Sequence, residues 1–247
     1  MRKDNLYLST IDENAHLLAK QHDIGLEFAE FCTPWYLDTD FLKADSIIRE
    51  KHGFTDRFVM HGPFSELFPC AIDPKVREIA AERYRQTIRI AQGYGIHKVI
   101  LHGGYNPRIY YPVWYTEQSV LFWKDFVREI PEDMVLCLEN VFEEEPDMIA
   151  QIVREVNDKR IRICLDVGHI NAYSKVPVMQ WLESCAGVTE HFHIHNNDTT
   201  QDSHSPLWEG TIPMRELLIQ IEKKCPSATI TLELTDAQAS IRWLLEE

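Results

Sequence analysis

The sequence is short of positive charge. Its 247 residues include 25 Lys and Arg against 39 Asp and Glu, for a formal net charge of −14. Nucleic acids and anionic membranes are usually bound through Lys and Arg. The excess of acidic residues therefore argues against a nucleic acid or an anionic membrane as partner. It does not exclude one, because bound cations can reverse the local electrostatic field.

Disulfide and membrane signals are also missing. The six cysteines form no C-x-x-C pair, and at least Cys137 and Cys164 lie in strand-like runs, which is typical of reduced thiols. No apolar run reaches the length of a membrane span, and the first residues, MRKDNLYLST, lack the apolar core of a signal peptide. With 45% hydrophobic residues the chain can bury a sizeable core, and we expect a cytoplasmic protein.

Eight strand-like runs alternate with helix-like segments. The runs lie at 5–9, 24–31, 57–62, 98–104, 134–141, 161–169, 190–196 and 228–234, and clear helical segments at 73–95, 144–158, 213–225 and 236–247. This alternation, with no Pro/Gly/Ser linker, predicts parallel βαβ units in one domain over residues 1–247. Eight units, and no G-x-G-x-x-G after the first strand, favour a closed (β/α)8 TIM barrel over an open sheet.

Within the strands, one face is uniformly large and apolar. In 161–166 the odd-numbered residues are apolar, whereas the even-numbered ones are mixed and finish in Asp166; in 57–61 the mixed face finishes in His61. Side chains alternate with a period of two along a strand. The apolar face therefore suits an outer ring of helices, and the final acid or histidine is predicted to point into the barrel.

Acidic and imidazole side chains recur at the strand ends and in the following loops. They are His61, His102, Glu139, Asp166, His169, His193, His195, Asp202, His204 and Glu233. In a TIM barrel these ends meet at the carboxyl-terminal mouth. Clustered carboxylates repel one another, and together with imidazoles they are ligands of divalent Zn, Mn, Fe or Mg. The set exceeds what one ion needs, so we expect one to three ions per chain, or a division into ligands and proton-transfer groups.

Two further inward positions are Glu27 and His191, and the division of roles between His193 and His195 stays open. Glu27 in the second strand is interpreted either as functional or as the partner of a buried base such as Arg57. His191 is interpreted as packing in the barrel core. His193 and His195 project to the same side, so one could bind a metal and the other a substrate.

The loop at 105–115, YNPRIYYPVWY, is rich in aromatic residues. Aromatic rings stack on sugar faces, but such a loop can equally pack on itself. The predicted substrate contacts are Arg108 and Trp114 from this loop, Trp208 from a later one, and His195.

The motifs resemble those of the xylose isomerase-like, endonuclease IV-like barrel superfamily. They are HGP at 61–63, HGG at 102–104, LEN at 138–140, LDVGH at 165–169, HIHNND at 193–198, D-S-H-x-P-L-W-E-G at 202–210 and LEL at 232–234. The epimerase-type site implied by this resemblance is Glu139, Asp166, His193 and Glu233 around one ion. The nuclease-type site adds His61, His102, His169, Asp202 and His204 around up to three.

The resemblance implies a metal-dependent isomerase or epimerase of a sugar or sugar phosphate, acting through an enediolate. Glu139 and Glu233 would serve as base and acid, and His169 would orient a substrate oxygen or bind a second ion. One alternative is a multi-zinc phosphodiester hydrolase of the endonuclease IV type; another is a barrel without catalytic activity. Acidic loops weigh against DNA repair, and nine ligands weigh against the simplest one-metal enzyme. The sequence leaves an oligomer open.

Overall fold

The computed structural model describes residues 2–245 and contains a closed barrel of eight parallel strands, each paired with the next and the eighth with the first. The strands are β1 Leu6–Ser9, β2 Gly25–Phe28, β3 Phe58–His61, β4 Lys98–His102, β5 Val135–Glu139, β6 Ile161–Asp166, β7 Thr189–Ile194 and β8 Thr229–Leu232. The predicted single-domain TIM barrel is confirmed.

Helices follow the strands around the outside. They are α1 Ala15–His22, α2 Pro34–Asp38, α3 Phe41–Lys51, α4 Pro74–Gly93, α5 Pro112–Phe126, α6 Pro146–Val156, α7 Val167–Tyr173, α8 Val178–Cys185, α9 Met214–Lys224 and α10 Gln238–Leu245. Proline opens α4, α5 and α6 because the first-turn N–H that it lacks has no helical partner. The final two residues of the segment predicted at 236–247 lie outside the described residues.

The barrel interior holds a small apolar cluster of Tyr7, Val59, Ile100, Cys137 and Cys164. Residues of the opposite parity pack outward with the helices in the main core. This division confirms the predicted alternation. Toward the carboxyl ends of the strands the inward positions become histidines and carboxylates, which places the polar cluster on top of an apolar floor.

Several predicted strands extend past their true ends. The run at 161–169 ends as a strand at Asp166, and the next residues begin helix α7; the run at 24–31 ends at Phe28. Apolar composition continues beyond the barrel rim in both cases, but hydrogen bonding to a neighbouring strand does not. His169 consequently lies on a helix rather than in a loop.

All six cysteines are free thiols. Across residues 2–245, no helix combines the length and the apolar composition required to cross a bilayer.

Candidate metal centre

Strand register brings the predicted ligands to one end of the barrel. His102 pairs opposite Glu139 between β4 and β5, and Asp166 pairs opposite His193 between β6 and β7. Glu139, Asp166 and His193 are at most 1% exposed. Ionisable groups buried this deeply are stable only when they are paired or bind a cation.

Glu139 lies between two groups of imidazoles. Its Oε2 is 3.1 Å from His61 Nε2 and 3.3 Å from His102 Nε2. Its Oε1 is 3.2 Å from His193 Nδ1 and 3.4 Å from His169 Nδ1. The two oxygens of this carboxylate therefore face different sets of ligand atoms.

The first set consists of His61, His102 and Glu139, whose ligand atoms lie within 4.8 Å of one another. His61 Nδ1 is 2.9 Å from the Gly62 carbonyl oxygen, to which it donates. This hydrogen bond leaves the lone pair on Nε2, on the side of Glu139, where a cation can use it.

The second set consists of Glu139, Asp166, His193 and Glu233, again within 4.8 Å. His193 Nδ1 is 3.4 Å from Glu233 Oε2 and 3.8 Å from Asp166 Oδ2. Three carboxylates and one imidazole provide the four ligands of a divalent cation. The structure thus groups His193, rather than His195, with these three carboxylates.

Asp166 explains the spacing of the Asp-x-x-His motif. Its Oδ1 accepts the backbone N–H of His169 at 2.7 Å and caps helix α7. The Asn140 side chain donates to the Asp166 carbonyl and accepts the Asp166 N–H, both at 3.0 Å. Asn140 therefore holds the strand end in place, a role that sequence reasoning missed although Asn140 belongs to the LEN motif.

The loop after β7 returns to the strand ends. Backbone hydrogen bonds of 3.0 and 2.9 Å between Asn196 and Ser205 close it. The closure places Asp202 Oδ2 3.2 Å from His169 Nε2 and 3.0 Å from His204 Nε2. Asp202 and His204 therefore join the site from a loop, as the sequence spacing suggested.

His195 is fully buried beside this loop. Its Nε2 lies 3.2 Å from both Asp166 oxygens, and its ring stacks on His204 with centroids 4.0 Å apart. A Cβ at Gly168 would lie 1.8 Å from this ring, so the motif requires glycine there. His195, His204 and Glu233 form a third set of close ligand atoms. Contact of His195 with a substrate stays a prediction.

The buried carboxylates are held in their ionised form. Burial opposes the charge of Glu139, but the positive charge of His193 and hydrogen bonding to His169 outweigh it and keep the pKa of Glu139 well below its usual value. Burial likewise opposes the charge of Asp166, but the charge of His169 and hydrogen bonding to His195 lower its pKa.

The imidazoles divide into two kinds. Burial disfavours a charge on His169, but Asp166 and hydrogen bonding to Asp202 raise its pKa well above the usual value. Burial also disfavours a charge on His204, but hydrogen bonding to Asp202 outweighs this effect and raises the pKa of His204 to about 9. At His102 burial prevails and lowers the pKa to about 3. Without a cation, protonated and neutral imidazoles therefore share one cluster.

Some ligand atoms have no suitable hydrogen-bond partner. Asp202 Oδ1, Glu233 Oε2 and His195 Nδ1 are buried and unsatisfied among the described residues. Buried polar atoms in native proteins are nearly always satisfied. Cations held between these groups would satisfy the two carboxylate oxygens, so the donor set fits divalent metal ions.

Three exposed aromatic rings border the ligands. Phe64 stacks on His102 with centroids 4.2 Å apart; Tyr173 stacks on His169 at 6.1 Å and contacts Phe142 at 4.9 Å. Each ring is more than a third exposed. These rings offer apolar faces to a ligand at the mouth, and they were not among the predicted contacts.

The loop at 105–115 packs against the protein. The half-buried Trp114 donates its indole N–H to the Cys70 carbonyl at 2.9 Å. This contact favours the second interpretation of the loop, in which its aromatic residues pack on the protein itself. Arg108 and Trp208 are exposed, and their contact with a substrate stays a prediction.

The sequence pattern of the xylose isomerase-like TIM barrel family matches residues 18–247. This chain belongs to that family. The resemblance inferred from the strand-end motifs is thereby confirmed.

Two other proteins illustrate the likeness in sequence. An uncharacterized protein of Methanocaldococcus jannaschii, MJ1311, is 27% identical over 74% of this chain and 66% of its own length. A probable endonuclease 4 of Ureaplasma parvum is 24% identical over 71% of this chain and 64% of its own length. The chain thus spans about two thirds of the length of each.

Solved structures of the same barrel are similar over nearly the whole chain. A D-tagatose 3-epimerase-like protein superposes with a TM-score of 0.79 at 23% identity, covering 98% of this chain and 96% of its own. The TTHB071 protein of Thermus thermophilus, soaked with ZnCl2, gives 0.78 at 21% identity, covering 98% and 97%. At these identities the likeness shows the shared fold of the xylose isomerase-like barrel.

Proposed function

We propose that this protein is a metal-dependent enzyme that binds more than one divalent ion and hydrolyses a phosphoester of a sugar-containing substrate. The observation that supports this most strongly is the position of Glu139. Its two oxygens face separate ligand sets, one with His61 and His102 and the other with His193. A carboxylate shared in this way suits adjacent ions, as in two-metal phosphoester hydrolysis.

Ions held here would polarise a phosphoryl oxygen and lower the pKa of water. The role of this chain is to set their spacing. Glu139 spans the two sets, while Asp202, carried on a loop, reaches His169 and His204. Five of the nine candidate ligands are imidazoles, a composition that favours zinc over magnesium or calcium.

The acidic composition of the chain is compatible with a phosphorylated substrate. The nine ligands include only four carboxylates, those of Glu139, Asp166, Asp202 and Glu233. Two or three divalent ions would neutralise or exceed that charge, so the mouth would attract an anion although the chain carries −14 overall. The name of the Ureaplasma relative, endonuclease 4, also supports phosphoester chemistry, and we propose a small sugar phosphate rather than DNA because of the acidic surface.

A second candidate is the isomerase or epimerase suggested by the motifs. The set of Glu139, Asp166, His193 and Glu233 is by itself a complete four-ligand site. Glu139 and Glu233 would act as base and acid on a substrate carbon, through an enediolate, with His169 orienting a substrate oxygen. The epimerase-like structural neighbour supports this candidate. It does not use His61 and His102, which is why we place it second.

Metal content and reaction products distinguish the candidates. Protein purified without chelator is analysed for zinc and other divalent metals, then assayed for phosphate release from sugar phosphates and for deuterium exchange at ketose C–H groups in D2O. We expect two or three ions per chain and phosphate release. One ion with deuterium exchange would contradict the hydrolase and support the epimerase; no bound ion would contradict both and leave a non-catalytic barrel.

Substitution of the shared carboxylate tests the metal arrangement directly. Glu139→Gln should lose affinity for the ions of both sets, whereas His61→Ala should affect one. Glu132→Gln is the matched control, because this glutamate is exposed and pairs with Arg160. Loss of a single ion in Glu139→Gln would contradict a shared ligand.

A further inference from the structure

A buried glutamate outside the nine candidate ligands contacts one of them. Glu27 lies in β2, is 0% exposed and points into the barrel. The alternative interpretation, in which Glu27 pairs with Arg57, is wrong: Arg57 bonds the Asp23 carbonyl and lies 3.3 Å from Asp4. Glu27 is surrounded by histidines and a threonine instead, because it pairs with Val59 within the barrel, whereas Arg57 precedes β3 at the amino-terminal end of the strands.

His193 connects Glu27 to the metal centre. The Nδ1 atom of its ring faces Glu139 and Glu233, while Nε2 lies 2.9 Å from Glu27 Oε1. Neither Nε2 nor Oε1 has a well-aligned hydrogen-bond partner among the described residues. The two atoms face each other as a buried pair, and a ligand atom of His61 lies within 4.8 Å of ligand atoms of Glu27 and His193.

Glu27 itself is held in place from the other side. Its Oε2 accepts the Thr231 hydroxyl at 2.6 Å and lies 3.1 Å from His191 Nε2. His191 Nδ1 is in turn 2.5 Å from Thr229 Oγ1. The position of His191 in the barrel core agrees with the sequence interpretation, but the core there is a polar network rather than apolar packing.

We propose that Glu27 is a positioning residue for His193. Metal-binding histidines usually direct the nitrogen that does not bind the ion at a carboxylate, carbonyl or water, which fixes the tautomer and orientation of the ring. With the His193 proton on Nε2, 2.9 Å from Glu27 Oε1, the Nδ1 lone pair faces the set shared with Glu139. This inference rests on the metal centre of the proposed function but not on the reaction.

Zinc binding by Glu27→Gln tests this role. The number and affinity of zinc ions are measured by competition with a chromophoric chelator, and the Co²⁺ absorption spectrum reports the ligand geometry. We expect one ion per chain to bind about 10–100-fold more weakly, with a changed Co²⁺ spectrum, while the ion beside His61 and His102 keeps its affinity. Glu190→Gln is the matched control, since Glu190 lies on the same strand as His193 and contacts Lys98 instead.

The outcomes separate this inference from the proposed function. Wild-type affinity in Glu27→Gln overturns the positioning role alone, whereas wild-type protein that binds no zinc overturns both. Complete loss of one ion, with the rest unchanged, would make Glu27 a ligand and also overturn the positioning role. If Glu27→Gln does not fold in EDTA, Thr231→Val is used instead, because it removes only the hydroxyl that holds Glu27. Wild-type zinc affinity in Thr231→Val would overturn the inference.

Discussion

Zinc binding at pH 7 should release about three protons per chain, because three ligand imidazoles are protonated in the metal-free protein. Burial opposes charge on His193, but neighbouring acidic groups raise its pKa well above the usual value; the pKa of His169 is raised similarly and that of His204 reaches about 9. A cation binds only the neutral ring, so each must lose a proton. Glu139 and Asp166, with lowered pKa values, are already ionised and release none.

The release is measured by isothermal titration calorimetry of zinc into EDTA-stripped, dialysed protein at pH 7. The same titration is run in two non-coordinating buffers of different ionisation enthalpy, and the difference in heat gives the number of protons. Below pH 9, apparent affinity should rise about tenfold per pH unit for each proton displaced at a given site. His61, whose pKa is also raised, can add to the total.

A variant identifies one of these protons. His204→Asn removes the imidazole whose pKa is about 9 and should lower the release by about one proton. Saturation with zinc accompanied by release of fewer than about one proton per chain would refute the reasoning, because the histidines would then be either neutral beforehand or not ligands.

Two further outcomes concern stability. The raised pKa of His204 stabilises the metal-free fold fully below the ordinary histidine pKa of 6.5, and this contribution is lost as pH rises through about 9. The melting temperature of EDTA-treated protein should therefore fall between pH 6.5 and about 9, whereas that of zinc-loaded protein should not. Equal pH profiles for the two forms would contradict a contribution of His204 to stability. Ile100→Ala should lower the free energy of unfolding by about 2–5 kcal/mol in urea because it opens a cavity inside the barrel. Val113→Ala, at a 68% exposed position, should change it by less than about 0.5 kcal/mol, and similar losses in the two variants would contradict the interior packing.

Local patterns predicted much of this molecule because they depend on short stretches of chain. The two-residue alternation in 57–61 and 161–166 follows from strand geometry alone, and the barrel places the carboxyl ends of all parallel strands on one side. His61 and Asp166 could therefore be assigned to a common site from their positions in two separate strands.

Other features depend on contacts between distant segments. Asn140 forms hydrogen bonds with Asp166, which is 26 residues away in the sequence, and Trp114 donates a hydrogen bond to Cys70, which is 44 residues away. Neither contact leaves a periodic signal in the sequence, so neither could be predicted from it, and contact of Trp114 with a substrate stays a prediction. Glu27 was placed inside the barrel correctly, but its partner was not, since parity gives a direction without a distance.

Strand period, chain order and residue type are local properties, and they were sufficient to predict the barrel and the carboxylate-imidazole chemistry of its mouth. Which of those groups could share an ion depended instead on the folded arrangement of distant segments. Strand register and the closing loop at Asn196 and Ser205 set distances of a few ångströms between residues as far apart as His61 and Glu139, and coordination depends on those distances.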